Sequence, residues 1–355
     1  MKRILELLTG PEDIGQTWLF WLVFCVFVVG FALYPTQASE FAATNTAFYL
    51  LNIPMALGLA LLWGYCGILS FGQVAYFGIA GYIYGIIAGN MMMNPWGPTL
   101  GILGGLAACV VLATIFGYFV FYARVQMWIV PILTLVLTLL LETFLGQTAG
   151  YQWRVGSVLL GGYNGMTGIP WYQAFGVMFT GYPFYYLTLI LVLLCYLGTR
   201  MLVNSRHGKV MLGIREDALR TELLGYDIRA RQLAIFVLAA VLAGLSGLLY
   251  VQWGNYINPA QLGLLQAALP VIWVAVGGRE SLLAVMISTF ALNWLNFTLS
   301  SQGNQYALVI IGSLLVIVML FFPRGIVVGI AQFAFWKRLG GRRRGSAAIG
   351  ETRQA

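Results

Sequence analysis

The most informative shortage in this 355-residue chain is charge: only 8% of its residues are charged, whereas 60% are hydrophobic. A soluble domain carries about 25% charged residues and could not cover its surface with so few. A β-barrel would show short alternating stretches rather than unbroken apolar runs of about twenty residues. The composition excludes soluble, secreted disulfide-rich and disordered classes, and predicts an all-α polytopic membrane protein.

Histidine and cysteine are also scarce, which restricts the chemistry that the chain can perform. His207 is the single histidine, and Cys25, Cys66, Cys109 and Cys195 have no paired spacing. We therefore predict no metal site, no disulfide and no cofactor. The sequence also lacks the phosphate-loop, HExxH and GxSxG motifs. The chain is not expected to be an enzyme, and active pumping would need a partner that hydrolyses ATP.

Ten apolar stretches are candidates for membrane-spanning helices, because a helix needs about 20 residues to cross about 30 Å of hydrocarbon. Their boundaries are 18–34, 47–64, 74–93, 99–122, 127–146, 183–203, 232–252, 263–277, 282–299 and 305–322. The first could imitate a signal peptide, but it is longer than a typical h-region and we interpret it as a retained helix. Residues 65–73 and 263–277 are candidates for broken helices, and 170–182 is expected to lie at the membrane interface.

The distribution of basic residues gives the predicted orientation. With the N-terminus in the cytoplasm, Arg154 is the one member of the 19 Lys and Arg residues that falls outside. This agrees with the positive-inside rule and explains the net charge of +8 without nucleic acid. We predict cytoplasmic termini and a single transmembrane domain over 1–336, with a cytoplasmic loop at 204–231. A basic, disordered tail at 337–355 would rest on anionic lipid or touch a partner.

The loop 204–231 mixes six basic with four acidic residues. Its pattern predicts one amphipathic helix over 210–224, with Gly225 as a left-handed C-cap. The apolar stripe of this helix would comprise Met211, Ile214, Ala218, Leu219 and Leu223. Glu216 and Arg220 are spaced for an ion pair on its polar side. Such a helix could receive force from a docked protein, or it could lie on the lipid surface.

Small residues recur at helical spacing in two stretches. Gly81, Gly85 and Gly89 are four residues apart, and Ala243 and Gly247 repeat this spacing later in the chain. A helix face without large side chains lets a neighbouring helix approach closely. Helix packing is therefore the predicted role of these residues.

Five polar residues within or between the apolar stretches are candidates for a solute pathway. Ser70 and Gln73 lie at the junction of two spans, where a broken helix could line a cavity or simply turn. Glu142 lies near the outer end of its span, where it would face water or snorkel to the interface. Asn293 and Asn296 lie three residues apart on one face, where they could bind a solute or bridge helices.

The residues before the 282–299 span are expected to form a turn at the inner face of the membrane. Arg279 and Glu280 follow Gly277 and Gly278, and we expect the two charged residues to form a local ion pair. The sequence shows neither a filter of repeated carbonyls nor rings of charged residues, which are typical of ion channels. The sequence therefore gives no support to an ion channel.

Six segments taken together resemble a known family, the membrane permeases of the branched-chain amino-acid and urea ABC importers. The resemblance extends from about residue 47 to residue 330. It depends on GYCGILSFGQVAYFGIAGY (64–82), LGGYNGMTGIP (160–170), SRHGKVMLGIREDALRTELLGYD (205–227), AVLAGLSGLLY (240–250), INPAQLGLLQAALPVIWVAVGG (257–278) and LFFPRGI (320–326). Within the family, VIWVAVGGR (271–279), the pair Asn293-Trp294 and FFPRGIV (321–327) look closer to the urea-type permeases.

The resemblance implies a heteromeric importer in the bacterial inner membrane. A paralogous permease would share the pathway, two ATP-binding subunits would dock from the cytoplasm, and a periplasmic binding protein would deliver substrate. Residues 206–225 would be the coupling segment. Its candidate contact residues are Arg206, Gly208, Met211, Ile214, Arg215, Glu216, Arg220, Glu222 and Gly225. The expected function is uptake of urea or a similar small amide by alternating access. The alternatives are branched-chain amino-acid uptake and, in another class, a passive urea or amide channel.

Overall fold

The computed structural model describes Leu8, Gly10, residues 18–174 and 176–301, and Gly312 and Ser313. Its helices are α1 (Trp18–Leu33), α2 (Glu40–Leu50), α3 (Ile53–Ala60), α4 (Gln73–Asn90), α5 (Gly97–Tyr122), α6 (Val130–Gly146), α7 (Gly181–Val203), α8 (Arg206–Glu216), α9 (Ala218–Leu223), α10 (Ile228–Gly254), α11 (Leu264–Gly277) and α12 (Leu282–Ser301). Apart from Gly312 and Ser313, the predicted span 305–322 lies outside the described residues, as does the tail 337–355.

Six helical stretches among the described residues are long and apolar enough to cross a membrane. They are Trp18–Thr36, Glu40–Tyr65, Gly97–Tyr122, Gly181–Val203, Ile228–Gly254 and Leu282–Ser301. Val130–Gly146 and Leu264–Gly277 are apolar but shorter. The protein is therefore a polytopic helical membrane protein, as predicted. Ten crossings and cytoplasmic termini stay predictions.

Two faces of the molecule follow from the order of its elements. Helices α8 and α9 lie between the end of α7 and the start of α10, and their side is called here the α8 face. The long connection 147–180 precedes α7 and therefore lies at the other end of that helix, on the opposite face. The Asn90 side-chain amide at the end of α4 donates to the carbonyl of Val155 in this connection at 2.8 Å. Helix α4 therefore ends at the opposite face.

The connection on the opposite face contains short antiparallel strands rather than a helix. They are β1 (Arg154–Val155), β2 (Val158–Leu159), β3 (Met166–Thr167), β4 (Gln173–Ala174) and β5 (Val177–Met178), with β6 (Tyr256–Ile257) after α10. Strand β3 pairs with β6, so that Met166 lies opposite Ile257. The stretch 170–182, expected at the interface, contains the β4–β5 pair. The β3–β6 pairing fixes the connection to the end of α10.

Helices α4, α5 and α10 pack closely because glycine occurs where their backbones meet. A Cβ atom added to Gly247 on α10 would lie 2.0 Å from the Phe77 carbonyl oxygen on α4. A Cβ added to Gly105 on α5 would lie 2.8 Å from the Ala80 carbonyl oxygen. Both distances are too short for any side chain, so these glycines allow two helices to contact the α4 backbone directly.

Helix α1 is peripheral, whereas α2 and α3 are central. Only 6% of the apolar stretch Trp18–Thr36 is buried, against 89% of Glu40–Tyr65. The side chains of Trp18, Val26 and Phe27 are more than half exposed. In a bilayer such a surface contacts lipid or another subunit.

The end of α3 is irregular. Residues Leu61–Tyr65 form a π-helical turn, and the chain is not helical from Gly67, with a φ of +78°, to Gly72. The amide of Phe71 in this break donates to the Thr134 hydroxyl on α6 at 3.1 Å. Of the two candidate broken helices, 65–73 is therefore interrupted. The other, 263–277, is the continuous helix α11 with Pro270 inside it.

The polar loop contains two helices, so the prediction of one helix over 210–224 is wrong. Helix α8 ends at Glu216, and Asp217 takes an extended conformation with a φ of −157°. Its carboxylate accepts a hydrogen bond from the Arg220 amide at 3.0 Å and caps α9. An Asp that caps a new helix satisfies backbone donors that a continuous helix would have satisfied itself. Gly225 has a φ of +88°, as a left-handed C-cap requires.

Candidate functional site

A polar cavity of about 260 Å³ lies between α3, α4, α10, α11 and α12. We call it the amide cavity, because five of its lining residues carry carboxamides. They are Asn52, Gln261, Gln266, Asn293 and Asn296. No charged side chain lines it among the described residues. The cavity is smaller than typical ligand pockets of about 300–1,000 Å³, which suits a small solute.

The lining residues extend about 10 Å along α11, from Gln266 to Trp273, at a rise of 1.5 Å per residue. Trp253 and Tyr256 line it at the end of α10, on the opposite face. Val74 lines it at the start of α4, about 24 Å along that helix from Asn90 at a rise of 1.5 Å per residue. Trp273 lies at a similar depth, one turn before α11 ends at the α8 face. The cavity therefore lies inside the helical bundle, between the end of α10 and the last turn of α11.

Two carboxamides hold α3 and α12 together beside the cavity. The Asn52 side-chain amide donates to the Asn293 side-chain oxygen at 3.0 Å, and the Asn293 amide donates to the Thr289 carbonyl at 2.8 Å. Asn52 and Asn293 are 8% and 5% exposed. Buried amides are stable only when hydrogen-bonded, and this chain of bonds supplies partners. It also orients both side chains, and hence the polar surface that a solute would meet.

Aromatic rings form much of the remaining wall. Phe48 and Trp253 have ring centroids 4.5 Å apart, and the Tyr250 hydroxyl donates to the Tyr256 hydroxyl at 2.8 Å. Rings of this kind offer broad apolar faces with few polar atoms. The amide cavity therefore combines apolar walls with neutral donors and acceptors. This combination suits a small molecule that has both polar groups and an apolar or planar part.

Helix α11, which lines the cavity, contains a proline. Pro270 has no amide hydrogen and cannot donate to the carbonyl of Gln266, one turn earlier. Gln266 is itself a lining residue. The proline thus removes the intrahelical bond of the Gln266 carbonyl within an otherwise continuous helix.

Of the five predicted pathway residues, the structure places only Asn293 and Asn296 in the amide cavity. Ser70 is fully buried, and its hydroxyl accepts from the Gly72 amide at 3.1 Å within the break after α3. Gln73 is 2% exposed and its side-chain oxygen has no hydrogen-bond partner. Glu142 is half-buried, and a Cβ added to Gly263 would lie 3.0 Å from its carboxylate. Glu142 therefore lies beside the start of α11, where a helix end favours a negative charge.

Sequence reasoning missed three of the lining carboxamides, Asn52, Gln261 and Gln266. Asn52 falls inside an apolar stretch and shares no periodicity with Asn293, which is 241 residues away. Gln261 and Gln266 flank the start of α11. A search for every carboxamide in or beside an apolar run would have found all three, but nothing in the sequence shows that they meet.

The small residues predicted for helix packing contact different partners. Additional Cβ atoms on Gly81, Gly85 and Gly89 would overlap with side chains of Ile257, Met166 and Val158 respectively. These three belong to the strands of the opposite face, so this stripe of α4 packs mainly against β2, β3 and β6. The remaining pair lies on α10. Ala243 is fully buried, and Gly247 contacts the α4 backbone.

Three of the predicted coupling residues fasten α8 to the membrane domain. Met211 and Ile214 are 1% and 5% exposed, and a Cβ added to Gly208 would overlap with the Val203 carbonyl. These residues are buried, so they are not available to a partner. Of the remaining predicted residues, Arg206, Glu216, Arg220, Glu222 and Gly225 are exposed. Arg215 is partly buried and makes contacts outside the loop.

The ion pairs at the α8 face differ from the predicted ones. Glu216 accepts from Arg215 at 2.8 Å, and Asp217 pairs with Arg220 at 2.8 Å, so the expected Glu216–Arg220 pair is wrong. The reason is the extended residue Asp217, which ends the helix that would have brought Glu216 and Arg220 together. Glu280 pairs with Arg215 instead of forming the local pair expected with its neighbour.

Helix α9 presents an apolar surface at the α8 face. Leu219, Leu223 and Leu224 are 67%, 80% and 77% exposed, and Tyr226 is also exposed. We call these four residues the α9 patch. The prediction that Leu219 and Leu223 continue the buried stripe of α8 is wrong, because the turn at Asp217 rotates them outward. Clustered exposed leucines beside charged residues are typical of a surface that another protein covers.

Comparison with known proteins connects this geometry to a family. The family model for the permease component of branched-chain amino acid transport systems matches residues 40–319. The chain belongs to this family. The match covers all the described helices except α1, and includes the amide cavity, α8 and α9.

Individual relatives support the same assignment. The high-affinity branched-chain amino acid transport system permease protein LivM of Escherichia coli is 24% identical over 92% of this chain and 80% of its own length. LivH of the same organism and BraD of Pseudomonas aeruginosa, which bear the same kind of name, are each 24% identical over 77% of this chain and 90% of their own. No solved structure matches the chain significantly.

Membership of this ABC permease family agrees with the six membrane-spanning stretches, and the protein is a multi-pass membrane permease. Permeases of this kind are transporter subunits rather than enzymes. The names of these relatives state branched-chain amino acids, and none of them states urea. The relatives therefore favour the branched-chain alternative over the main expectation of urea, which stays a prediction.

Proposed function

We propose that this chain is the permease subunit of an ATP-driven importer that carries branched-chain amino acids across the bacterial inner membrane. The observation that carries the proposal is the amide cavity, which lies between five helices inside the bundle and has neutral polar and aromatic walls. The names of the relatives support the choice of substrate. A second permease would complete the pathway, and a periplasmic binding protein would deliver the amino acid.

The amide cavity has suitable chemistry for a small amino acid in transit. Its aromatic and aliphatic walls would contact the branched side chain, and the carboxamides would donate to the carboxylate and accept from the ammonium group. Neutral partners bind ions less strongly than charged partners do. Weak binding favours release, so high affinity would belong to the binding protein and not to the permease.

Two ATP-binding subunits would dock at the α8 face and contact the α9 patch. The four exposed apolar residues of the patch would be buried in that interface. Closure of the ATP-binding subunits would move α9 and α8, and the helices around the amide cavity would switch between openings on the two sides. Alternating access of this kind is rocking of one helical group against another around a fixed site.

The amide cavity also supports a second candidate, import of urea or another small amide. Its five carboxamides would pair with a neutral amide without removing an ion from water, whereas an amino acid must lose solvent from two charged groups. The absence of charged lining side chains in the described part of the chain is the observation that favours this candidate.

The test is uptake by proteoliposomes that contain the complete importer with its natural partner subunits and binding protein. Labelled leucine at micromolar concentration is expected to accumulate only with ATP, and excess urea should not compete. ATP-driven urea accumulation that leucine does not affect would replace the amino acid with the second candidate. Uptake of either solute by this chain alone, without ATP, would identify a passive channel and contradict the proposal.

A further inference from the structure

The end of α3 at the α8 face meets two other segments in a small polar cluster. The guanidinium of Arg215 on α8 donates to the Gly64 carbonyl in the π-helical turn. It also donates to Glu280, in the turn between α11 and α12, at 3.2 Å. The Tyr65 hydroxyl donates to the Glu280 carbonyl at 3.0 Å. One side chain of α8 therefore contacts both segments that end there.

The contact with Gly64 completes the end of a helix. The last carbonyls of a helix have no intrahelical donor and carry partial negative charge, so a cation there is favourable. No side chain would fit at Gly64, because the Arg279 carbonyl oxygen occupies the position that a Cβ would take. Arg215 can reach the carbonyl because Gly67 also lacks a side chain, and a Cβ there would lie 3.2 Å from Arg215 Cγ.

The three segments that meet at this cluster continue into the walls of the amide cavity. Helix α3 begins next to Asn52, α11 carries Gln266 and Trp273, and α12 carries Asn293 and Asn296. Asn52, before the start of α3, and Asn293, near the middle of α12, are hydrogen-bonded to each other. The segments are thus connected twice, once beside the cavity through Asn52 and once at the α8 face through Arg215.

Helix α8 is itself fastened to α9, which carries the exposed patch. Thr221 of α9 is buried, and a Cβ added to Gly213 of α8 would lie 3.1 Å from its hydroxyl oxygen. The Thr221 hydroxyl donates to the Asp217 carbonyl at 3.0 Å. A displacement of α9 would therefore move α8, and with it Arg215.

We propose that Arg215 is the positioning residue that couples α8 to the walls of the amide cavity. Motion received at α9 passes through α8 to the ends of α3 and of the α11–α12 turn, which Arg215 contacts together. The side chain of Arg215 is 23% exposed and that of Glu280 is 58% exposed, so water can replace their contacts when the segments separate. The proposal rests on the proposed function, since it requires an ATP-driven partner at the α8 face.

The test compares uptake with ATP hydrolysis in the same proteoliposomes containing the complete importer. Arg215→Gln replaces the guanidinium, which contacts Gly64, Glu280 and Glu216, with a neutral side chain. We expect ATP hydrolysis to stay within about twofold of the unaltered complex and leucine moved per ATP to fall about tenfold, within the range of allosteric coupling. Arg215→Lys keeps the charge but not the planar fork, and should restore only part of the ratio.

Arg124→Gln is the matched control. Arg124 is an exposed arginine in the connection between α5 and α6, on the α8 face, and the substitution removes the same charge. The ratio of leucine to ATP should stay unchanged. A fall as large as that of Arg215→Gln would assign the effect to surface charge and overturn the proposal.

A second variant keeps the test decisive if Arg215→Gln does not assemble. Glu280→Gln preserves the shape of the cluster and weakens one contact of Arg215, and should lower the ratio about threefold. An unchanged ratio in every variant that assembles, or a parallel loss of uptake and ATP hydrolysis in each of them, would overturn this proposal and leave the proposed function standing. If the unaltered complex shows no ATP-driven uptake of leucine or urea, the proposed function itself fails, and this proposal with it.

Discussion

The amide cavity and the polar cluster of Arg215, Glu216 and Glu280 are built on the same segments. Neutral polar side chains line the cavity, whereas charged side chains form the cluster. Five carboxamides and no described charged side chain line the cavity, and two of the carboxamides are less than a tenth exposed. The cluster at the α8 face has an arginine and two glutamates, whose side chains are 23%, 71% and 58% exposed. In these two regions, neutral polar groups lie deep in the helical bundle, and charges lie where water reaches them.

This difference has a physical cause and a functional consequence. A charged side chain in the membrane interior is costly, whereas a paired amide costs little. A cavity without charged side chains also cannot bind a charged group of the solute tightly, so the solute can leave it. Ion pairs that water can solvate separate and re-form at low cost, which suits a contact that must change in each transport cycle.

The largest effect is expected when a charge is placed in the cavity. Asn293→Asp removes the amide that donates to the Thr289 carbonyl and places a carboxylate at a position that is 5% exposed. The loss of the bond and the buried charge together should reduce leucine uptake about 100-fold. Ser300→Asp, at an exposed position on the same helix outside the cavity lining, is the control and should cause a clearly smaller loss. If Asn293→Asp takes up leucine at the rate of the unaltered complex, the amide cavity tolerates a charge, and the contrast with the Arg215 cluster is refuted.

A smaller but still large effect is expected at the α9 patch. Leu223→Glu places a charge on a side chain that is 80% exposed and that would be buried by the ATP-binding subunits. Desolvation of this charge should weaken their association about tenfold or more, as measured by co-purification at a series of concentrations. Met93, which is fully exposed on the opposite face, provides the control Met93→Glu. Equal association for both variants would mean that the α9 patch is not a docking surface.

The smallest effect is expected for the outermost ion pair. Glu216 is 71% exposed and pairs only with its neighbour Arg215 among the described ion pairs. Many exposed ion pairs contribute nothing measurable, so Glu216→Gln should change leucine moved per ATP by less than about twofold. A loss as large as that expected for Glu280→Gln would show that the contact between Arg215 and the α11–α12 turn has no special role.

The helices could be predicted from sequence because they follow from local composition. The run 99–122 corresponds to α5 at Gly97–Tyr122, and 183–203 to α7 at Gly181–Val203. Long apolar runs have few alternatives to a helix in a bilayer, since every backbone group must be hydrogen-bonded internally. The prediction of one helix over 210–224 was wrong because two local signals disagreed there. The apolar spacing favoured one helix, whereas the capping by Asp217 started a second one.

The site could be predicted only in part because it depends on distant contacts. Asn293 and Asn296 were found from their spacing, but the partner Asn52 lies 241 residues away. Arg215 was placed in the coupling loop, but its contact with Gly64 crosses 151 residues. Glu142 was a reasonable pathway candidate by depth alone, and it lies beside the start of α11 instead of in the cavity. Such pairings are set by packing of the whole bundle and have no local signature.

The most direct test of the central claim is to block the amide cavity. Asn296→Trp would place an indole ring in a cavity of about 260 Å³ without touching the α8 face. Ser300→Trp, one turn further along α12 at an exposed position, is the matched control. We predict that ATP-driven leucine uptake falls at least about tenfold in Asn296→Trp and not in Ser300→Trp, while both complexes assemble and hydrolyse ATP. Normal uptake by an assembled Asn296→Trp complex would show that the solute passes elsewhere and would contradict the account.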